Sequence, residues 1–280
     1  RARLVGSEMC IRDSAIIILS LLFGDDDLQK TLMIVNTAGH DTDCNSGNVG
    51  CIMGIKNGLE GLRNGPDYLT PIQDRMYCPT ANGGETQTDA LTEAYKVINT
   101  AKKMNKEETV EPKNGSRFHF EMPGSVQGWR SSFKNNKNIS TIVQNTEYES
   151  SIGKRALEIK FDRVAPGVCS EAVVDTFFPQ ELYELTGSAR ERFFQSYNFI
   201  SCPLLYSGQN IESEIIFKSN SQKPITVTCF INVFGEEDNY ERMNSESVVL
   251  FPDKSQKLKW KIPSTEGNPI TQVGFSIESD

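Results

Sequence analysis

A change in the period of the hydrophobic pattern constrains this chain more than any other feature. From Ala15 to about Asn105 apolar residues recur at helical spacing, and from about Lys113 onward they alternate with polar ones. A helix repeats about every 3.6 residues and a strand every second residue, so the two patterns gather their apolar faces in different architectures. The change falls within the polar stretch 102–114, which has few side chains to build a core. The expected organisation is multidomain: an all-α part over 15–105, a linker over 106–114 and an all-β part over 115–280. A chain of 280 residues has room for both, since a domain usually takes about 100 to 200.

In the first part, Asp25, Asp26 and Asp27 sit where a helix N-terminus favours negative charge. Leu28, Leu32 and Val35 follow at helical spacing and predict a helix to about Thr37. After a turn-rich stretch, Gly47, Gly50, Cys51, Gly54 and Gly58 share one helical face. Each interior glycine costs about 1 kcal/mol relative to alanine, a loss that close approach of another backbone can offset. That helix is therefore expected at the centre of a bundle. Leu91, Ala94, Tyr95, Ile98 and Ala101 mark one more amphipathic helix, with Asp89 near its start and Lys102 and Lys103 near its end.

The second part reads as half-buried strands. Leu157, Ile159 and Phe161 alternate with Glu158 and Lys160; Leu258, Trp260 and Ile262 alternate with lysines; Val273, Phe275 and Ile277 repeat the pattern. The run 224–234 is apolar on both faces, as a central strand would be. With turn signals at Ser207-Gly208-Gln209, Pro252-Asp253 and Glu266-Gly267-Asn268, this predicts a jelly-roll-like sandwich of about eight strands. Trp129, Tyr206, Tyr240 and Trp260 are candidate platforms for stacking a sugar, although Trp260 shares its face with Leu258 and Ile262 and is expected in the core. His119, between Phe118 and Phe120, reads as strand filler.

The densest chemical signal is Ala38-Gly-His-Asp-Thr-Asp-Cys-Asn-Ser-Gly47. Carboxylates two residues apart lie about 200° apart on a helix, so Asp41 and Asp43 converge only from a loop, which Gly39 permits. Two such hard oxygens suit Mg²⁺ or a similar ion. An EF-hand loop is the nearest rival, but Ser46 stands where that loop needs glycine and Ile52 where it needs glutamate. The plain alternative is a surface loop whose aspartates cap a helix, with Asn45 or Ser46 as further capping candidates. His40 either touches a phosphate or leaving group as a substrate-binding residue or is a solvated loop histidine.

The segment 35–62, with Gly-x-Asp-x-Asp ahead of a glycine-spaced helix, resembles the C-terminal metal motif of the ADP-ribosylglycohydrolase family. The resemblance covers about 14–103. It implies an all-helical fold holding two Mg²⁺ ions, with Mn²⁺ as a possible substitute, that polarise ADP-ribose and a water for hydrolysis of a glycosidic bond. By that likeness Asp41 and Asp43 are metal ligands. Cys44 stands where the family carries Thr or Ser, and a thiol is a poor ligand for a hard ion, so the third ligand is open. The family's Thr-x-Asp-Asp half of the site is absent from this sequence, and half a binuclear site should hydrolyse nothing. The segments 150–161, 203–217 and 258–277 resemble, in pattern, galactose-binding-like sandwiches and carbohydrate-binding modules. The expectation is thus the C-terminal piece of a hydrolase of ADP-ribosylated substrates, inactive as this chain; the alternative is a carbohydrate-binding sandwich on a non-catalytic helical remnant, a pseudoenzyme.

Composition narrows the partners. With 29 basic against 37 acidic residues the net charge is −8, which argues against nucleic acid and acidic membrane surfaces and fits small-molecule or cation ligands better; the resemblances imply that these are ADP-ribosylated substrates or related glycosides, and carbohydrate for the sandwich. The apolar run 15–23 is far short of the ~20 residues of a membrane span, and Gly24-Asp25-Asp26-Asp27 follows it instead of a signal-cleavage site. Seven cysteines scattered singly give no zinc or disulfide framework and favour a reducing, cytoplasmic compartment, while the sequons Asn114-Gly-Ser and Asn138-Ile-Ser leave a secreted origin open. Glu8-Met-Cys-Ile-Arg-Asp-Ser14 back-translates to the end of a transposon-type sequencing adapter, so 1–14 is expected to be an assembly artefact ahead of a truncated protein.

Overall fold

Asp27 starts the helix that the acidic run predicts. Its backbone is extended and its side chain accepts the Lys30 amide at 2.6 Å, which satisfies one orphan donor of α2 (Leu28–Thr37). Asp25 and Asp26 stand outside the helix at φ 52° and 59° and pair with Lys30 and Lys56. α2 buries Leu28 and Val35 against Val49 and Met53 of α3 (Thr42–Arg63), and Ile16, Ile17 and Leu21 of α1 (Val5–Phe23) close that cluster. Gly24 makes the corner between α1 and α2 possible, because a Cβ there would collide with Thr31 Oγ1 and the Ser20 carbonyl.

The computed structural model describes residues 5–78, 83–132, 135, 140–178, 182, 185–196, 201–235 and 239–279. Its contacts divide the chain between Pro71 and Ile72, ahead of the 106–114 stretch expected to be the linker. None of its described helices is long and apolar enough to cross a membrane. Residues 1–4 of the expected artefact lie outside the described residues, and α1 begins at Val5.

Two expectations for α3 change. The helix begins at Thr42, not after Asn45 or Ser46, so Asp41 is its N-cap and Asp43 lies in its first turn. The small-residue face is also not the packed one. Positions for a Cβ on Gly47, Gly54 and Gly58 meet nothing within 4 Å, whereas Asn45, Val49 and Met53 are buried. Valine and methionine remove far more apolar surface from water than glycines do, and that decides which face turns to α1 and α2. Gly58, at φ 62° and ψ −166°, breaks the helical path, a conformation that glycine tolerates without a Cβ clash.

In Ile72–Asp280, the short antiparallel hairpin β1 (Arg75–Tyr77) and β2 (Gln87–Asp89) leads into α4 (Ala90–Met104). The helix predicted from Leu91 to Ala101 is therefore present, and it is counted with the β-rich unit. Asn99 explains part of this: its amide donates to the Val110 carbonyl at 3.1 Å and accepts the Val110 amide at 2.8 Å, so 106–110 folds back onto α4.

The remaining strands are β3 (Arg130–Ser131), β4 (Thr141–Glu147), β5 (Arg155–Phe161), β6 (Ser170–Asp175), β7 (Asn210–Ile216), β8 (Ile225–Phe234), β9 (Tyr240–Asn244), β10 (Val248–Leu250), β11 (Ser255–Lys261) and β12 (Ile270–Ser279), with α5 (Gly187–Ser196) between β6 and β7. One sheet runs β10-β8-β12-β6-β3, with β9 also on β8; β4–β5 and β7–β11 form two antiparallel pairs. β8 is central, as its two-sided apolar run predicts, because it pairs with β12 along one edge and with β9 and β10 along the other. Its inward residues Cys229, Ile231 and Val233 meet Val143, Leu157 and Ile159 from the β4–β5 pair and Ile211, Leu258 and Trp260 from the β7–β11 pair. The result is a helical unit followed in sequence by a β-sandwich unit.

Gly274 on β12 has no room for a side chain. A Cβ there would lie 2.5 Å from Phe230 Cζ and 2.7 Å from the Ala172 carbonyl, neither of which can swing aside. Gly274→Ala should cost about 1 to 3 kcal/mol through overpacking. The check is urea unfolding of the full chain, with a lower midpoint and an unchanged slope.

Candidate functional site

The metal motif folds into a helix start. Asp41 sits at φ 37° without making a side-chain cap, and Asp41, Asp43 and Cys44 are all exposed. The Asp41 carboxylate accepts the Cys44 thiol, and this bond with the Asp41 charge, then slight desolvation, then Asp43 and Asp13, raises the thiol's pKa. His40 is half-buried, with Nε2 at 3.4 Å from Arg12 Nη1. Asn45, a capping candidate, is buried and donates to the His40 carbonyl at 3.1 Å and to Asp13 at 3.3 Å. Among the described residues no group of three His, Cys, Asp or Glu side chains could hold a metal ion. Mg²⁺ demands near-octahedral oxygen ligands, and a protonated thiol bonded to one of two carboxylates does not supply them. The donors present do not by themselves fit the ion.

The candidate sugar platforms are mostly core. Trp129 is 5% exposed and stacks on Phe275 with centroids 5.6 Å apart. Trp260 packs partly buried against the same cluster, as its strand face predicts. Tyr240 meets Phe234 edge-on at 5.4 Å. Tyr206, half-exposed on the turn before β7, is the one of the four that presents a large face to solvent.

The chemistry that the sequence pattern does not reveal lies on the outward face of the six-stranded sheet. Register places Asn232, Gln272 and Asp175 side by side on β8, β12 and β6, with Arg242 of β9 beside Asn232. Asn232 Nδ2 donates to Gln272 Oε1 at 2.9 Å, Gln272 Nε2 donates to Asp175 at 2.8 Å, and Arg130 Nη2 donates to both Asp175 oxygens at 3.1 and 3.3 Å. Arg242 lies over the Phe230 ring at 3.8 Å and binds Glu171 through two nitrogens at 2.6 and 3.1 Å. These residues are the outward positions of strands whose alternate residues fill the core. They are polar because their parity takes them out of it.

A second network fixes α4. The buried Asp89 caps the helix by accepting the Thr92 amide and hydroxyl, each at 2.8 Å, and it accepts Arg117 Nη1 at 2.8 Å. Gln127 Nε2 donates to Asp89 at 3.4 Å, and its Oε1 accepts the His119 and Phe120 amides at 2.8 and 2.9 Å. Asp74 holds the 125–127 turn by accepting Ser125 Oγ and the amides of Val126 and Gln127. His119 is not a strand residue: Phe118 and Phe120 enter the sandwich core, and the buried imidazole meets Tyr95 of α4 edge-on at 5.1 Å.

Between the networks is a cavity of about 20 Å³, lined by Arg75, Gln87, Arg117, Gln127, Gly128 and Asp175 among others. That volume holds about one water-sized group. The Asp175 side chain on its wall is 3% exposed, against 31% for Arg75 and 43% for Arg117. Arg75 Nη1 lies 3.8 Å from Asp175. Gln87 Nε2 is buried with no hydrogen-bond partner, a state that costs about 1 to 3 kcal/mol unless an acceptor arrives.

No family model matches the chain, and no curated protein matches it. Among solved structures, the CBM22-1 xylan-binding domain of Paenibacillus barcinonensis Xyn10C is similar at 12% identity and a TM-score of 0.36, over 57% of this chain and 80% of that one. The C-terminal family 22 carbohydrate-binding module of Clostridium thermocellum Xyn10B is similar at 14% identity and a TM-score of 0.33, over 57% and 87%. A carbohydrate-binding module of the β-sandwich superfamily is similar at 13% identity and a TM-score of 0.38, over 56% and 52%. Likenesses this loose establish no shared ligand, and function has to be read from this chain's own residues.

Two outcomes follow from these geometries. Because the thiolate is the reactive form, Asp41→Asn should speed alkylation of Cys44 by iodoacetamide several-fold at neutral pH, as followed by peptide mass spectrometry. Burial lowers the His119 pKa below its ordinary 6.5, and this outweighs the opposing charges of Asp89 and Glu121, while Lys113 and Arg117 reinforce it. Below about pH 6.5 the unfolded chain takes up a proton that the folded chain refuses, so stability falls as pH drops from that value. Unfolding free energies from pH 7.5 to 5.5 should show this decline, and His119→Gln should flatten it.

Proposed function

We propose that the unit Ile72–Asp280 is a carbohydrate-binding module and that this chain performs no hydrolysis. One observation carries the proposal: the planar hydrogen-bonding groups of Arg75, Gln87, Arg117 and Asp175 converge on a cavity at the protein surface, and an amide nitrogen there lacks an acceptor. Guanidinium, amide and carboxylate groups fixed in direction are what distinguish one hydroxyl-bearing ligand from another. Two of them are held without a ligand, Asp175 by Arg130 and Gln272 and Arg117 by Asp89 and Thr92. Preorganisation of this kind lowers the entropic cost of binding. The β-sandwich arrangement of the strands is compatible with the same reading, although fold alone would not assign a ligand.

The resemblance of 35–62 to an ADP-ribosylglycohydrolase motif supports no step of catalysis in this chain, since Asp41, Asp43 and Cys44 do not fit Mg²⁺ as a set. The deciding experiment is native affinity electrophoresis of the full chain in gels containing soluble polysaccharides, xylan among them. At least one polysaccharide should retard it, and Arg75→Ala should weaken retention about 10-fold or more, the scale of one lost charged hydrogen bond. Unretarded migration in every gel sinks the proposal. Mg²⁺-dependent release of ADP-ribose by the same protein would restore the hydrolase reading.

A further inference from the structure

We infer that His119 is a proton-operated latch: its neutral imidazole fastens the strained segment 119–121, and the protonated ring releases that segment together with the amides that orient Gln127 on the cavity wall. The strain lies in the backbone. Phe120 sits at φ 58°, a left-handed conformation that is rare for a bulky residue and persists only where surrounding bonds hold it. Gln127 Oε1 accepts the amides of His119 and Phe120, Asn145 Nδ2 donates to the Phe120 carbonyl at 2.8 Å, and the Glu121 amide donates to His119 Nδ1 at 3.2 Å. Of these ties only the last runs to a group that ordinarily titrates near neutral pH.

Because Nδ1 accepts, the neutral ring carries its hydrogen on Nε2. A proton from solvent can add only at Nδ1, where it would face the Glu121 N–H, donor against donor, and the bond is lost. The cation would also be buried, since His119 is 6% exposed and packs edge-on against Tyr95 of α4. Neighbouring charges are already committed. Asp89, at the start of α4, favours the cation but serves Arg117 and Thr92, and Glu93 and Lys96 on the same helix pair with each other. Glu121 also favours it but is bound by Lys113 and by the amides of Lys154 and Arg155. Arg155 itself is turned to Asn145 and Glu147, and the 125–127 turn presents only neutral residues. Burial, reinforced by Lys113 and Arg117, therefore keeps the ring neutral below its ordinary 6.5. An opened segment titrates at about 6.5, so each pH unit below that value multiplies the open population by up to about 10 until the closed ring takes the proton as well.

The test is amide hydrogen exchange of the full chain, resolved by nuclear magnetic resonance at pH 7.5 and 5.5 and corrected for the pH dependence of chemical exchange. The amides of His119, Phe120 and Glu121 should lose protection several-fold on acidification, and at pH 5.5 they should exchange faster than those of β8 and β12, which report unfolding of the whole sandwich. In His119→Gln, whose amide oxygen can accept the same hydrogen but takes up no proton, the loss should disappear. Protection that is unchanged by acid overturns the latch, and so does a loss that persists in His119→Gln. Exchange of 119–121 in step with β8 and β12 at both pH values also overturns it, because the segment then opens only when everything does. A further readout needs no variant: nitrogen shifts of the imidazole at pH 7.5 should place the hydrogen on Nε2, and a hydrogen on Nδ1 removes the acceptor on which the latch depends.

Discussion

The Asp175 carboxylate is 3% exposed, and much of the β-sandwich unit is arranged around that fact. A carboxylate in such a place needs a counter-charge and full hydrogen bonding to remain ionised. Arg130 supplies the first and Gln272 part of the second, and Gln272 is in turn completed by Asn232. The chain of dependence fixes β3, β6, β12 and β8 in one register, because a one-residue slip on any of them would turn its member of the row into the core. The sheet's inner face sets how well it packs. Its outer face sets which alignment is allowed.

Asp89 plays the equivalent part for α4. A helix cap is ordinarily a surface device, but here the capping carboxylate is buried and shared with Arg117 and Gln127. The helix start is therefore tied to segments 28 and 38 residues further along the chain. This accounts for α4 belonging with the strands, although its own periodicity is indistinguishable from that of the helices before it. The cavity lies where the two anchored systems meet, so Arg117 and Asp175 on its wall are oriented by groups that also hold the fold.

Local pattern made much of the architecture legible. Asp27 and Asp89 cap the helices expected of them, α2 ends at Thr37, and the sandwich has ten described strands, the short β3 and β10 among them, against the eight or so that the alternation predicts. What misled was the glycine face of α3: spacing shows which residues share a face but not which face meets a neighbour. The candidate site was hidden for a related reason. Asp175, Asn232 and Gln272 are unremarkable polar residues at outward strand positions, and only the register makes them neighbours. Gln87 and Arg117 lie outside any motif, whereas the motif at Asp41 and Asp43 is plain in the sequence and among the described residues no third ligand joins them.

The row on the outer sheet face also bears on how the sandwich forms. Its bonds join residues 40, 45, 71 and 97 positions apart. Each requires closing a long loop before it contributes anything, and contacts of that range slow folding across proteins of similar size. Asp175 with Arg130, and Glu171 with Arg242, must moreover lose their water as pairs, since either partner desolvated alone is an uncompensated charge. Apolar pairs such as Val273 with Val174 and Phe275 with Cys229 span the same distances, so the polar row and the core behind it share one long-range assembly whose loops must close together.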